Sequence, residues 1–191
     1  MNRAAGEETP ALVFGAGAIG LLLAGALAAS ENFSQIVVAD IDARRLKIAE
    51  EMVSGLKTAL IPRAETPPPA KDAPHAEQTA YALENAQKVA AALVEAVGAR
   101  DGLVVNGFSR VYDCTGVPAC VQAGIYASAP GGVLVQIGMG NPIQTLPVGA
   151  AALREVDIIG VFRYDGHAYP AAIALLASGK MKSVEEKVVT H

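Results

Sequence analysis

Residues 12–27 read LVFGAGAIGLLLAGAL: an apolar run, three glycines, then a second apolar run. Gly15, Gly17 and Gly20 fit the spacing G-x-G-x-x-G. A buried strand that must turn at once into a helix packed closely on it has few ways to fold, and this spacing selects one of them. Gly15 permits the tight turn, Gly17 lets a pyrophosphate approach the backbone, and Gly20 lets the helix lie close to the strand. The anion would rest on the positive N-terminus of the helix. Taken alone the motif is weak, because Ala- and Gly-rich segments are common in close-packed helices. Its setting strengthens it. Asp40 closes the next apolar run, QIVVAD (35–40), twenty residues after Gly20. A carboxylate there accepts hydrogen bonds from an adenosine ribose and repels a 2′-phosphate, which favours NAD over NADP. Arg44 and Arg45 follow, either as a lure for phosphate, as plain surface charges, or as a lid over adenine.

The rest of the chain alternates in the same way. Residues 11–14 are predicted as a first strand, 18–29 as a helix, 35–40 as a second strand and 42–52 as a second helix with Asp42 as its N-cap. A short strand at 58–61 precedes PRAETPPPAKDAP (62–74), which holds five prolines in thirteen residues. Proline fixes φ and forbids both helix and central strand, so this is an exposed, semi-rigid insertion loop. Apolar residues at Leu83, Ala86, Ala90, Leu93 and Val97 then step by three and four, marking an amphipathic helix that ends near Gly98. Strands at 109–114, 131–140 and 154–163 alternate with helices at 118–127, opened by Pro118, and 169–178. Strand–helix alternation throughout predicts a doubly wound parallel sheet, a Rossmann fold, in one domain spanning 1–191.

Composition narrows the function. Hydrophobic residues make up 52% of the 191 residues and aromatics only 5%, so the core is built from Ala, Val, Leu and Ile, as suits strands buried on both faces. A net charge of −4 without a Lys/Arg cluster argues against nucleic acid as the main partner. No apolar run reaches about 18 residues without a charge or glycine break, and no basic leader precedes a cleavage-like site, so a cytoplasmic protein that does not engage the membrane is expected. Cys114 and Cys120, spaced C-x5-C, read as two buried or free thiols in a reducing compartment, since zinc sites pair ligands more closely and need about four of them. His75, His167 and His191 are scattered, with no i,i+4 partner, and read as surface or loop residues. Two other dinucleotide- or nucleoside-binding patterns fail: GAGAIG is not the G-x-G-x-G turn of methyltransferases, and no tyrosine has the Lys four residues on that short-chain dehydrogenases require.

VYDCTG, GGVLVQIGMG, IQTLPVGAAALREVDIIGVFRY and the closing VVTH resemble the coenzyme-binding domain of the zinc-dependent medium-chain dehydrogenases, especially the polyol enzymes of the sorbitol (L-iditol) and xylitol type in their fungal forms. The resemblance covers nearly the whole chain outside the proline-rich loop and its helix. It implies cofactor contacts in four places. Ile19 packs near the pyrophosphate; Asp40 holds the adenine ribose with Arg45 over adenine; Ile137, Gly138 and Met139 pass under the nicotinamide half; Val161, Phe162 and Arg163 lie near the nicotinamide and the substrate mouth. Plain strand core is the competing reading for Ile137 and Val161, and a surface charge for Arg163.

In that family a GroES-like domain supplies catalytic zinc through a Cys, a Gly-His-Glu segment and an acidic residue. This sequence has no Gly-His-Glu and no cysteine before Cys114, and Glu7 and Glu8 match no ligand motif. Both ends coincide with domain boundaries of the family. The expectation is therefore an NAD-binding domain whose catalytic residues, and whose zinc, lie elsewhere, with no catalytic or metal-binding residue on this chain. Two other readings compete: a stand-alone NAD-binding module that senses redox state, and a remnant that acts through its sheet edge. Retention of Gly15, Gly17, Gly20 and Asp40 together speaks against the remnant. The resemblance also implies a homodimer through an edge strand, placed by sequence in the uncharged PIQTLPV (142–148) with the strand around Asp157–Phe162 nearby.

Overall fold

The computed structural model describes residues 10–30, 32–98 and 106–184. Glu7, Glu8, His191 and the closing VVTH lie outside those residues. Six strands form one sheet in the order β3-β2-β1-β4-β5-β6, and every neighbouring pair is parallel. The strands are β1 Pro10–Phe14, β2 Gln35–Asp40, β3 Lys57–Leu60, β4 Phe108–Asp113, β5 Ser128–Gln136 and β6 Asp157–Gly160. Between them run α1 Ala18–Ser30, α2 Ala43–Met52, α3 His75–Val97, α4 Pro118–Ala127 and α5 Val148–Leu153, and α6 Ala168–Ala177 follows the last strand. This is the doubly wound Rossmann topology, with the chain reversing direction across the sheet between β1 and β4.

Period-two alternation along β1 explains why helices cover both faces. Leu12 and Phe14 enter one core with Ala90 and Leu93 of α3 and Val121 and Ile125 of α4. Ala11 and Val13 enter the other, with Ala24 and Leu27 of α1 and Leu46 and Met52 of α2. Every residue of β1 is buried, as an apolar run without polar alternation requires. Asp42 caps α2 as expected: its carboxylate accepts the Arg44 backbone N–H at 2.9 Å. The Arg44 side chain and that N–H together hold the Asp42 carboxyl below its ordinary range.

The proline-rich insertion is exposed, and it is strapped to α3. Tyr81 Oη donates to the Thr66 carbonyl at 2.7 Å, Gln78 Nε2 donates to Ala73 O at 2.8 Å, and Lys88 pairs with Glu65 at 3.5 Å. Helix α3 starts at His75, eight residues before the periodic pattern does.

Three expectations need correction. PIQTLPV forms no strand: residues 142–147 are irregular and Val148 opens α5, because Pro142 and Pro147 withhold the N–H groups that a ladder needs. The strand expected over 131–140 begins at Ser128 and ends at Gln136, so Ile137–Gly140 form a turn beyond it. The strand expected over 154–163 shrinks to Asp157–Gly160, bounded by Glu155 and Arg163, whose φ values of 53° and 64° are left-handed and end extended pairing. Among the described residues, no helix is long and apolar enough to cross a membrane.

Candidate functional site

The carboxyl ends of the parallel strands carry the site. Gly15, at φ +96°, turns the chain out of β1, and its N–H donates to Ala39 O at 2.8 Å, tying the turn to β2. A Cβ at Gly20 would overlap the Gly15 carbonyl oxygen, so helix α1 can lie this close to the strand only without one. At Gly17 a Cβ would meet nothing within 4 Å. The backbone at Gly17, Ala18 and Ile19 is thus open at the N-terminus of a thirteen-residue helix, where N–H groups and the helix dipole favour an anion. Ile19 is exposed beside it.

Asp40 closes β2 against this turn. Its side chain is buried, yet Oδ2 accepts the Ala16 N–H at 2.7 Å and Oδ1 accepts the Asp42 N–H at 2.8 Å. A carboxylate has about four lone-pair sites, so two remain for hydroxyl donors of a ligand. Arg45 Nη1 lies 4.0 Å from Asp40 Oδ2, a long and partly exposed pair that contributes little to stability and sets a guanidinium beside the site. Arg44 turns away and engages Asp42 at 3.0 Å. The residues here fit the adenosine–pyrophosphate half of a dinucleotide: an open glycine turn, a helix N-terminus and a fixed acceptor at the end of the next strand.

A second cluster, which the sequence reading did not single out, lies at the end of β4. Asp113 is fully buried; Oδ1 accepts Thr115 N–H at 3.0 Å and Thr115 Oγ1–H at 2.6 Å, and Oδ2 accepts Gly116 N–H at 2.9 Å. Its carbonyl accepts the N–H groups of Ile137 at 2.9 Å and Gly138 at 2.8 Å. Ile137, Gly138 and Met139 are therefore held against the end of β4, with Met139 86% exposed and pointing into solvent. Beyond them a hollow of about 420 Å³ is lined by Gln136, Gly138, Met139, Asn141 and Gln144. The signal that could have found this cluster was present: an acid closing a strand and followed by Thr-Gly, as Asp40 closes β2.

Val161, Phe162 and Arg163 stand at the end of the sheet's edge strand and are all exposed. Val161 N–H donates to Gln136 O at 3.0 Å, which aligns this segment with the end of β5, and the Arg163 guanidinium lies 5.3 Å from the Phe162 ring centroid. The structure thus gathers Gly15, Gly17, Ile19, Gly20, Asp40 and Arg45 at one centre, sets Ile137–Met139 beside the Asp113 turn, and leaves Val161–Arg163 linked to them through the β5 backbone. A larger groove of about 610 Å³ lies between the proline-rich loop and α3, on the α3 side of the sheet and away from the glycine turn.

Neither cysteine forms a disulfide. Burial and then the Asp113 charge push the Cys114 thiol up to about 12, and burial pushes Cys120 up as well, so both are neutral thiols at physiological pH. Among the described residues, no group of three or more His, Cys, Asp or Glu lies together to hold a metal ion.

Known proteins resemble this chain in sequence and in fold. Human sorbitol dehydrogenase is 38% identical over 184 residues, which cover 94% of this chain and 42% of that protein. The chain spans about two fifths of the length of the curated relatives that it matches. Among solved structures, an Escherichia coli short chain alcohol dehydrogenase complexed with NADH has a TM-score of 0.63 at 20% identity, covering 94% of this chain and 43% of that one. Glucose dehydrogenase of Haloferax mediterranei in complex with NADP, zinc and gluconolactone has a TM-score of 0.62 at 16% identity, covering 95% and 45%. At these identities the structures establish the fold. Residues 18–178 match the profile of the zinc-binding dehydrogenases, most of the sheet and its helices, and the chain belongs to that family.

Proposed function

We propose that residues 1–191 form one NAD-binding domain of a polyol dehydrogenase of the sorbitol or xylitol type. The observation that carries the proposal is the Asp40 carboxylate, fixed by the Ala16 and Asp42 N–H groups directly beside the open glycine turn. The cofactor-binding residues are Gly15, Gly17, Ile19, Gly20, Asp40, Arg45, Ile137, Gly138, Met139, Val161, Phe162 and Arg163. Gly15–Gly20 offer N–H groups to the pyrophosphate, Asp40 accepts from the adenosine ribose, and Arg45 covers adenine. Ile137–Met139 and Val161–Arg163 give the nicotinamide an apolar floor and a cationic rim. NAD, when bound, takes the hydride from the alcohol carbon; the chain's own residues orient it and exclude water from one side. Zinc belongs in this reading to a further domain, as the resemblance implies, and the chain by itself oxidises no sugar alcohol.

Relatives in fold are recorded with NADH and with NADP, so the fold alone does not choose the cofactor. Asp40 does. A 2′-phosphate would sit against a buried carboxylate; of the two arginines nearby, Arg44 is engaged by Asp42 and Arg45 Nη1 lies 4.0 Å from Asp40 Oδ2. Titration calorimetry of the chain with NAD and NADP tests this. The expected result is NAD binding at least about tenfold tighter, a difference of about 1.4 kcal/mol. Asp40→Ser, which also releases two N–H groups, should bring the ratio of the two affinities towards one. Equal affinities in the parent, or no binding at millimolar cofactor, overturn the assignment. The proposal includes a two-fold homodimer, whose edge is β6 in place of PIQTLPV.

A further inference from the structure

Asp113 is the one carboxylate among the described residues that is wholly buried, and the cofactor contacts proposed above do not use it. It has no cationic partner among its hydrogen bonds. Three donors hold it instead, all from the two residues Thr115 and Gly116. A buried charge satisfied only by a turn makes that turn rigid, because opening it would strand the charge. The Thr115 hydroxyl extends the network by accepting the Val117 N–H at 3.0 Å, at the start of α4.

The turn so fixed touches both halves of the site. A Cβ on Gly15 would come within 2.9 Å of Thr115 Cγ2, so the turn abuts the glycine turn on one side. On the other side the Gly116 backbone is packed against residues 138–140: a Cβ on Gly138 would overlap Gly116 N, and one on Gly140 would overlap Gly116 O. Gly116 itself is at φ +70°, a conformation that L side chains rarely adopt, and the Asp113 Oδ2 bond to its N–H holds it there. The Asp113 carbonyl pins Ile137 and Gly138 from the same residue. One aspartate therefore sets, through its side chain and its main chain, where residues 137–140 stand relative to Gly15.

From this we propose that Asp113 is a positioning residue for the nicotinamide half of the site, as Asp40 is a binding residue for the adenosine half. The proposal rests on the dinucleotide reading given above. Asp113 itself touches no cofactor; it acts through Thr115, Gly116 and the 137–140 turn. Losing its charge would leave the Gly15–Gly20 turn and Asp40 in place, and would let the 137–140 turn drift from its register.

Affinities for NADH and for AMP, measured by calorimetry on the full chain, separate these roles, because AMP reports only the adenosine half. Asp113→Asn keeps the shape but turns an amide N–H₂ towards the Thr115 and Gly116 donors. It should weaken NADH about tenfold, as the loss of a charge-assisted hydrogen bond does, and leave AMP within about twofold. Thr115→Val, which removes only the hydroxyl bond, should show the same split at smaller size and serves if the first variant fails to fold. Equal losses for NADH and AMP in these variants, or no loss for NADH, would reduce Asp113 to a structural role and overturn the proposal. A parent chain that binds neither ligand sinks the dinucleotide reading itself, and this proposal with it.

Discussion

The centre of the sheet, which we call its closed side, and its β6 edge, the open side, are built to different standards. In β1 and β2 eleven positions run from Pro10 to Phe14 and Gln35 to Asp40, and all but Gln35 are buried. In β6 none of the four residues is buried, and helix α6, AYPAAIALLA, buries none either. Both regions are strongly apolar in sequence. What differs is coverage: α1, α2, α3 and α4 close over the central strands, whereas Ile158, Ile159, Val161, Phe162, Ile173 and Leu176 keep large exposed areas around the edge. Apolar composition marks surface that gains from burial, not surface that this chain buries by itself. The glycine turn and Asp40 sit on the closed side, where backbone positions are fixed by packing; Val161–Arg163 sit on the open side.

The largest expected effect breaks the comparison most directly. Leu12, fully buried in β1, and Leu153, 89% exposed at the end of α5, are the same side chain in the two settings. Leu12→Ala should cost about 2–5 kcal/mol and Leu153→Ala about 0.5 kcal/mol or less, read from urea melts. Comparable costs would mean that the open side is packed as well as the closed one. Next in size is the edge itself. If β6 pairs with its copy in the proposed homodimer, Ile159→Lys should weaken association at least about tenfold by light scattering while leaving the melting midpoint of the dilute chain nearly unchanged. A parent that is monomeric at tens of micromolar, or a variant that dimerises as well as the parent, removes the edge from the account.

The smallest effect sharpens the closed side. Because burial raises the Cys114 thiol to about 12 against an ordinary 9.0, the folded thiol stays protonated where the unfolded one ionises. Its contribution to stability is present below pH 9 and is lost as pH climbs from 9 towards 12. At pH 8.5, iodoacetamide should therefore label the native chain at least about tenfold more slowly than the chain in urea, since the thiolate is the reactive form. Equal rates would show that the end of β4 opens freely.

Much of this was legible in the residues. The glycine spacing and the Asp40 that closes the next strand were legible together, and the structure brings them into contact, Asp40 Oδ2 accepting the Ala16 N–H at 2.7 Å. The period of α3 was visible from Leu83, but its first two turns carry Ala, Glu, Gln and Thr, which pattern alone does not assign. Helix α5 is six residues long, too short for periodicity to register, and it falls between the edge read at 142–148, whose last residue opens it, and the strand read at 154–163. D-C-T-G shows an acid that closes a strand, but not that the Asp113 carbonyl also accepts the Ile137 and Gly138 N–H groups across the sheet, which is what joins the turn to residues 137–140.

The central claim is that a dinucleotide lies across the closed side, over Gly15–Gly20 and against Asp40. Backbone amide shifts in a nitrogen-15 correlation spectrum, followed while NADH is added, test it most directly. The account predicts saturable shifts at Gly15–Gly20 and at Asp40–Asp42, with Thr115, Gly116 and Ile137–Met139 following at the same ligand concentration, and little change in α6. Shifts confined to α3 and the proline-rich loop, or none at millimolar NADH, would contradict it.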